Sequence, residues 1–117
     1  MAENHDLGKK GEELALEHLV KLGYELLEKN WRFRKMEIDI IARNDKQIVF
    51  IEVKSRANNS FGEPYEFVSQ SKQKLIAKAA NFYLEKLNFM AEARFDIISI
   101  TFEPTYHLEH IRDAFYT

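Results

Sequence analysis

The sequence predicts an α/β protein, a mixed sheet of four to five strands flanked by helices, laid out as helix, three strands, helix, strand. Two observations carry this prediction. Apolar residues recur at helical spacing over residues 6–22 and 69–87, and β-branched and aromatic residues crowd residues 38–53 and 95–102. A third bounds it: at 117 residues the chain has room for one sheet and about two long helices, so residues 1–117 read as a single domain.

Asp6 is expected to cap a helix running to about Leu22, with Gly23 where helices commonly stop. Gly8, Glu12, Ala15, Leu19 and Leu22 step by threes and fours and so form one stripe, which puts Glu12 on or beside the buried face. Gly8 and Gly11 weaken the helix by about 1 kcal/mol each, a cost that fits close approach to another backbone or to a ligand. Tyr24–Asn30 reads as a weakly alternating strand. Trp31-Arg32-Phe33-Arg34-Lys35 follows as a basic and aromatic connector, suited either to phosphates and bases or to a solvated loop with its two rings tucked inward.

Glu37 to Lys54, EIDIIARNDKQIVFIEVK, reads as a hairpin turning at Asn44-Asp45-Lys46. Outside that turn, its two runs set three carboxylates and a lysine among Ile, Val and Phe. On alternating strands Asp39 shares a face with Glu37 and Ile41, and Glu52 with Lys54, Ile48 and Phe50. One register places Asp39 opposite Phe50 and diagonal to Glu52; the register of a four-residue loop places Asp39 opposite Glu52 and Glu37 opposite Lys54. Both gather the carboxylates. Like charges within about 5 to 8 Å repel, and a divalent cation is the simplest remedy. Oxygen ligands suit Mg²⁺ or Mn²⁺, held by Asp39 and Glu52 with the Val53 carbonyl as an extra ligand. Cross-strand ion pairing of Glu37, Asp39, Glu52 and Lys54 on a solvated face is the plainer alternative.

Ser55 to Pro64 is polar and turn-rich, a loop beside the carboxylates. Ser69 or Ser71 then caps a helix to about Leu87, on which Lys72 extends the stripe of Ile76, Ala79, Tyr83 and Leu87 by one turn. Phe95–Phe102 is a strand, with Asp96 structural in role. Tyr106–Phe115 reads as an edge strand or a helical turn, with His107 and His110 as surface histidines.

Composition narrows the function classes. No cysteine excludes disulfides and thiolate metal sites. No apolar run approaches the roughly 18 residues of a membrane span and no signal peptide is visible, so a cytoplasmic protein is expected. A net charge of −2 gives no global attraction to nucleic acid. Phosphate contacts must therefore be local, and Arg32, Arg34, Lys35, Arg56 and Lys72 are the candidates.

The order of elements, with Glu12, Asp39, Glu52 and Lys54 on the first helix and on the second and third strands, is that of PD-(D/E)xK nuclease folds. The chain resembles the YraN-like family of small bacterial proteins, of the Holliday-junction-resolvase-like group, through Gly8-Lys9-Lys10-Gly11-Glu12 with Ala15, Glu37-Ile38-Asp39, Phe50-Ile51-Glu52-Val53-Lys54 with Arg56, Phe61-Gly62 with Pro64, Lys72, and Arg94-Phe95-Asp96. The resemblance implies a restriction-endonuclease-like αβββαβ core and Mg²⁺-dependent hydrolysis of phosphodiesters in DNA. It implies Asp39 and Glu52 as metal ligands, Glu12 as an additional carboxylate, and Lys54 as the residue that positions or activates water. Ile38 stands where such families often have proline, and Lys35-Met36 where this family usually has two glycines. The alternatives are a non-catalytic nucleic-acid- or protein-binding module that keeps the fold, and a metal-binding scaffold. A homodimer is compatible with any of them.

Overall fold

A computed structural model describes residues 2–58, 68–87 and 91–115. Helix α1 (Ala2–Lys21) is followed by strands β1 (Glu25–Phe33), β2 (Met36–Asn44) and β3 (Gln47–Arg56), then helix α2 (Gln70–Leu87), and strands β4 (Glu92–Thr101) and β5 (His107–Ile111). The five strands form one sheet in the order β1-β2-β3-β4-β5. Neighbours are antiparallel except β3 and β4, which run parallel and are joined through α2. The sheet is thus mixed, as the sequence predicts.

Each face of the sheet carries one helix. Ala15 and Leu19 of α1 pack with Ile40, Ala42, Val49, Ile51, Ile98 and Ile100. Ile76, Ala79, Ala80 and Tyr83 of α2 pack with Ile41, Ile48, Phe50, Phe95 and Ile97 on the opposite face. β2, β3 and β4 are covered on both sides, which is why they read as nearly continuous apolar runs. No helix among the described residues is long and apolar enough to cross a membrane.

Several boundaries differ from expectation. α1 begins at Ala2, so Asp6 lies inside the helix and does not cap it. Gly23 takes φ 89° just past the end of α1, the left-handed conformation that stops a helix at least cost. Leu22 follows the helix and is 46 % exposed, so it leaves the buried stripe. Trp31, Arg32 and Phe33 are not a connector but the last third of β1; their alternation of ring and base is itself strand periodicity. Trp31 and Phe33 stack on each other with their centroids 6.3 Å apart, and both pack with the α2 cluster. The Ser69 hydroxyl accepts from the Lys72 N–H at 3.2 Å and so caps α2, whereas Ser71 is already helical. Beyond Thr101, Tyr106–Phe115 supplies an edge strand. The loop proposed after Lys54 starts later than expected, since Ser55 and Arg56 belong to β3; its part from Asn59 to Pro64 lies outside the described residues.

Candidate functional site

The site is assembled at the end of the sheet where β2 begins and β3 ends. A two-residue turn, Asp45-Lys46, closes the hairpin, so Asn44 belongs to β2 and pairs with Gln47. This gives the register expected of a four-residue loop: Asn44 pairs with Gln47, and Ile40 with Ile51. Asp39 and Glu52 are the next residues on each strand.

The regular ladder stops there. Ile38 packs with the α2-side cluster and Ile40 with the α1-side cluster, although residues two apart on a regular strand share a face. Across the β1–β2 pair, Trp31 aligns with Ile38 and Lys29 with Ile40; Asn30, between them, has φ 51°. Both strands therefore change face at Asn30 and Asp39. The expectation that Glu37 shares a face with Ile41 fails at this irregularity, and Glu37 instead meets Arg32, with Nη2 to Oε2 at 3.2 Å. Released from the alternation, the Asp39 carboxylate turns toward β3 and its Oδ2 accepts the Val53 N–H at 2.8 Å.

On β3, Glu52 is buried, with only 8 % of its side chain exposed. Lys72 Nζ lies 2.6 Å and Lys54 Nζ 3.8 Å from Glu52 Oε2. Lys72 reaches the site because its phase on α2 is that of Ile76 and Ala79, one turn before the apolar stripe begins. From the sequence it was a candidate phosphate contact; in the structure it is held directly by a site carboxylate. Its helical phase was legible, its target was not.

Charges are tightly coupled here. Burial, followed by the neighbouring charge of Glu52, raises the Asp39 carboxyl to about 7 against the downward pull of its Val53 hydrogen bond, and Glu12 and Glu37 push in the same upward direction. The Lys54 ammonium is lowered, first by burial and then by Lys72, despite Glu52. Burial would also lower Lys72, but the hydrogen bond and charge of Glu52 outweigh it and hold that ammonium above its ordinary value. A carboxyl pushed up beside a lysine pushed down is the pairing of environments that functional sites use.

Glu12 is brought near by its glycine neighbour. At Gly11 a Cβ would stand 1.7 Å from Ser55 Oγ and 2.9 Å from Ser55 Cβ, so α1 rests directly on the end of β3. At Gly8 nothing lies within 4 Å, so the close approach expected there is absent. Glu12 is half-buried and its charge reaches Asp39, but among the described residues no three His, Asp or Glu side chains come together as a ready-made metal cluster. The donor set nearest to hand is Asp39 and Glu52 with the Val53 carbonyl. Mg²⁺ accepts so sparse a set, since it keeps several waters of its own.

Of the other predicted contacts, Arg32 is exposed beside Glu37, and Arg34 and Lys35 form the exposed β1–β2 turn, with Arg34 at φ 58° over the Phe33 ring. Arg56 ends β3, facing Thr101 in the register with β4. Asp96 is fully buried and receives both Arg94 Nε (2.9 Å) and Nη2 (2.8 Å), His110 Nε2 at 2.7 Å and the Asp113 N–H at 3.1 Å. His110 is consequently buried rather than a surface residue, with 6 % of its side chain exposed, and its Nδ1 lies 3.0 Å from His18 Nε2. His107 is exposed on the same strand. An odd spacing on a strand turns the two histidines to opposite sides, so they cannot grip one metal as they would on a helix. Sequence reasoning missed this network because its members lie far apart in the chain.

The fold and site together define a small α/β protein with a carboxylate–lysine cluster where two central strands part. The chain belongs to uncharacterised protein family UPF0102, whose model matches residues 11–100. It is 48 % identical over 117 residues to a UPF0102 protein of Flavobacterium psychrophilum, covering 99 % of this chain and 98 % of the relative. It is likewise 48 % identical over 114 residues to one of Geobacter metallireducens (96 % and 93 %), and 47 % identical over 116 residues to one of Clostridium perfringens (96 % and 95 %).

Proposed function

We propose that the protein is a metal-dependent nuclease that hydrolyses phosphodiester bonds in DNA, of the kind its resemblance to YraN-like proteins implies. One observation carries the reading: Asp39 and Glu52 meet where β2 leaves β3, with Lys54 one step beyond Glu52 on the same face. Of the two carboxylates, Asp39 is raised to about 7 by burial and by the charge of Glu52, and Mg²⁺ or Mn²⁺ would relieve that repulsion. The bound ion would supply charge for the phosphate and a more acidic water. Asp39 and Glu52 would hold that ion, the Val53 N–H keeps the Asp39 carboxylate aimed, and Glu12 adds negative charge from α1. Lys54, half-buried and with its ammonium pKa lowered, is suited to bear on charge that develops during attack. Arg34, Lys35 and Arg56, at the same end of the sheet, would meet the flanking phosphates.

A second reading rests on Lys72. With its ammonium 2.6 Å from Glu52, the buried carboxylate is already partnered without a metal, as suits a binding module that keeps the fold but not the chemistry. Mg²⁺-dependent nicking of linear and branched DNA, measured with Asp39→Ala as the control for contaminating nuclease, decides between them. A nuclease loses its activity in Asp39→Ala, whereas in Lys54→Ala it keeps DNA binding and loses most of the rate. Nicking that survives in both variants, or that never rises above the control, removes the catalytic reading.

A further inference from the structure

A second feature lies beyond the carboxylates, on the α1 face at the outer edge of the sheet. Here α1 and the segment from Phe102 to Leu108 enclose a broad open groove of about 870 Å³. Lys10, Lys21, His18 and His107 stand along it with the rings of Phe102 and Tyr106. Tyr106 is 53 % exposed, and the Lys10 ammonium lies 5.7 Å from the centroid of the Phe102 ring. Glu17 on the same wall offsets one lysine, which leaves the groove net positive in a chain of net charge −2.

The groove is built from within. Buried Asp96 holds His110, and His110 in turn holds the ring of His18 on the groove wall. It also reaches the end of β3. The Phe102 N–H bonds to the Arg56 carbonyl at 3.2 Å, and Gly11, next to Lys10, rests on Ser55. Both contacts are within two residues of Lys54 along β3. The Lys10 and Phe102 end of the groove therefore abuts the end of β3, on the face opposite Glu52 and Lys54.

We propose that this groove binds an unpaired nucleic-acid strand, its phosphates on Lys10 and Lys21 and its bases against Tyr106 and Phe102. The proposal rests on the nuclease reading and adds the form of substrate: a junction between paired and unpaired nucleic acid, the unpaired arm running along α1. Rings favour a single strand over a duplex because they can stack only on base faces that pairing and stacking have left open, while lysines serve either form. Lys21 near the end of α1 and Lys10 near its middle lie three turns, about 16 Å, apart on one side of the helix, a span that phosphates a few nucleotides apart along one strand would cover.

The test is fluorescence anisotropy of a labelled single-stranded oligodeoxynucleotide, its RNA counterpart and the matching duplex, titrated with the full chain in metal-free buffer so that cleavage cannot intervene. Tyr106→Ala should weaken single-strand binding at least about fivefold and leave duplex binding unchanged, and Tyr106→Phe, which keeps the ring, should restore it. Lys10→Glu and Lys21→Glu should each flatten the single-strand salt slope by about 0.7. Equal binding of DNA and RNA strands assigns the groove to backbone and stacking alone; a clear preference for either assigns it to that nucleic acid. Wild-type single-strand affinity in Tyr106→Ala and both lysine variants overturns the groove while leaving the nuclease reading intact. Equal losses for strand and duplex overturn the single-strand assignment. Failure of the wild-type chain to bind any of the three, together with absent Mg²⁺-dependent nicking, overturns both.

Discussion

Gly8 and Gly11 are three residues apart on one helix and should respond in opposite ways to the same change. At Gly8 an added methyl meets open space, so Gly8→Ala should raise stability by about 0.5–1 kcal/mol through helix propensity alone. At Gly11 it would collide with Ser55, a short side chain on a sheet backbone with little freedom to withdraw, and Gly11→Ala should cost about 1–3 kcal/mol. Denaturant unfolding of the two variants checks both signs. The sequence raised the same question at each glycine because helix propensity is local; which neighbour lies across the gap is set by the packing of α1 on β3.

Asp39 yields a prediction with a definite pH window. Its carboxyl titrates near 7 in the folded chain and near 3.8 when unfolded, so between those values the folded state holds the extra proton. Stability from this group is thus greatest at low pH and falls as pH rises through the window, remaining reduced above it. Asp39→Asn, which keeps an oxygen for the Val53 N–H, should raise the Tm of the metal-free protein by several degrees at about pH 8 and by much less at about pH 5. An equal gain at both values would mean that the charge of Asp39 is not the cause.

Among the elements, those whose pattern is carried by their own residues were the most legible. α2, from a serine cap to Leu87, and the Ile-rich hairpin stand close to where the sequence puts them, since each is held by a continuous apolar stripe. Carboxylate placement was legible to the same depth. Glu52 and Lys54 share a face of β3 with Phe50, as alternation requires. Asp39 does not follow alternation, because Asn30 on the neighbouring strand adopts a positive φ, a conformation asparagine tolerates but its place within a strand does not call for. β1 runs to Phe33, three residues beyond the expected end at Asn30; its outer residues alternate basic with aromatic, and only the rings find a surface, the exposed flank of α2. The burial of His110 was illegible for a different reason: its partners Asp96 and His18 come from β4 and α1, and nothing in HLEHI itself calls for them.

At the scale of the whole molecule, the Arg94–Asp96–His110 network ties β4, β5 and α1 together, with Tyr24 and Gln47 also bonded to Arg94. Burial raises the Asp96 carboxyl, but the His110, Arg94 and Asp113 hydrogen bonds outweigh it and hold it below its ordinary value. The stability it contributes is present above the unfolded value of 3.8 and is lost as pH falls through the lower folded one. Asp96→Asn would leave the Arg94 guanidinium without its counter-charge in a side chain only 9 % exposed, and should cost about 3–5 kcal/mol at neutral pH, measured by denaturant unfolding. If stability changes by less than about 1 kcal/mol, the network is ornament to the core rather than one of its ties.

The parallel pairing of β3 with β4 also governs the order in which the molecule acquires its parts. The β2–β3 hairpin closes through a two-residue turn and can form in about 1–10 μs, whereas β4 can join β3 only after the chain between Arg56 and Glu92 has been drawn into a closed loop. Asp39, Glu52 and Lys54 therefore come together early, as a local unit; Lys72 and Glu12 arrive when the two helices dock. In stopped-flow measurements Ile41→Val, inside the hairpin, should chiefly slow refolding, and Ile98→Val, on β4, should chiefly quicken unfolding. Until the helices settle, the emerging chain carries its paired carboxylates with Lys54 alone beside them, and Lys72 reaches Glu52 only when α2 docks.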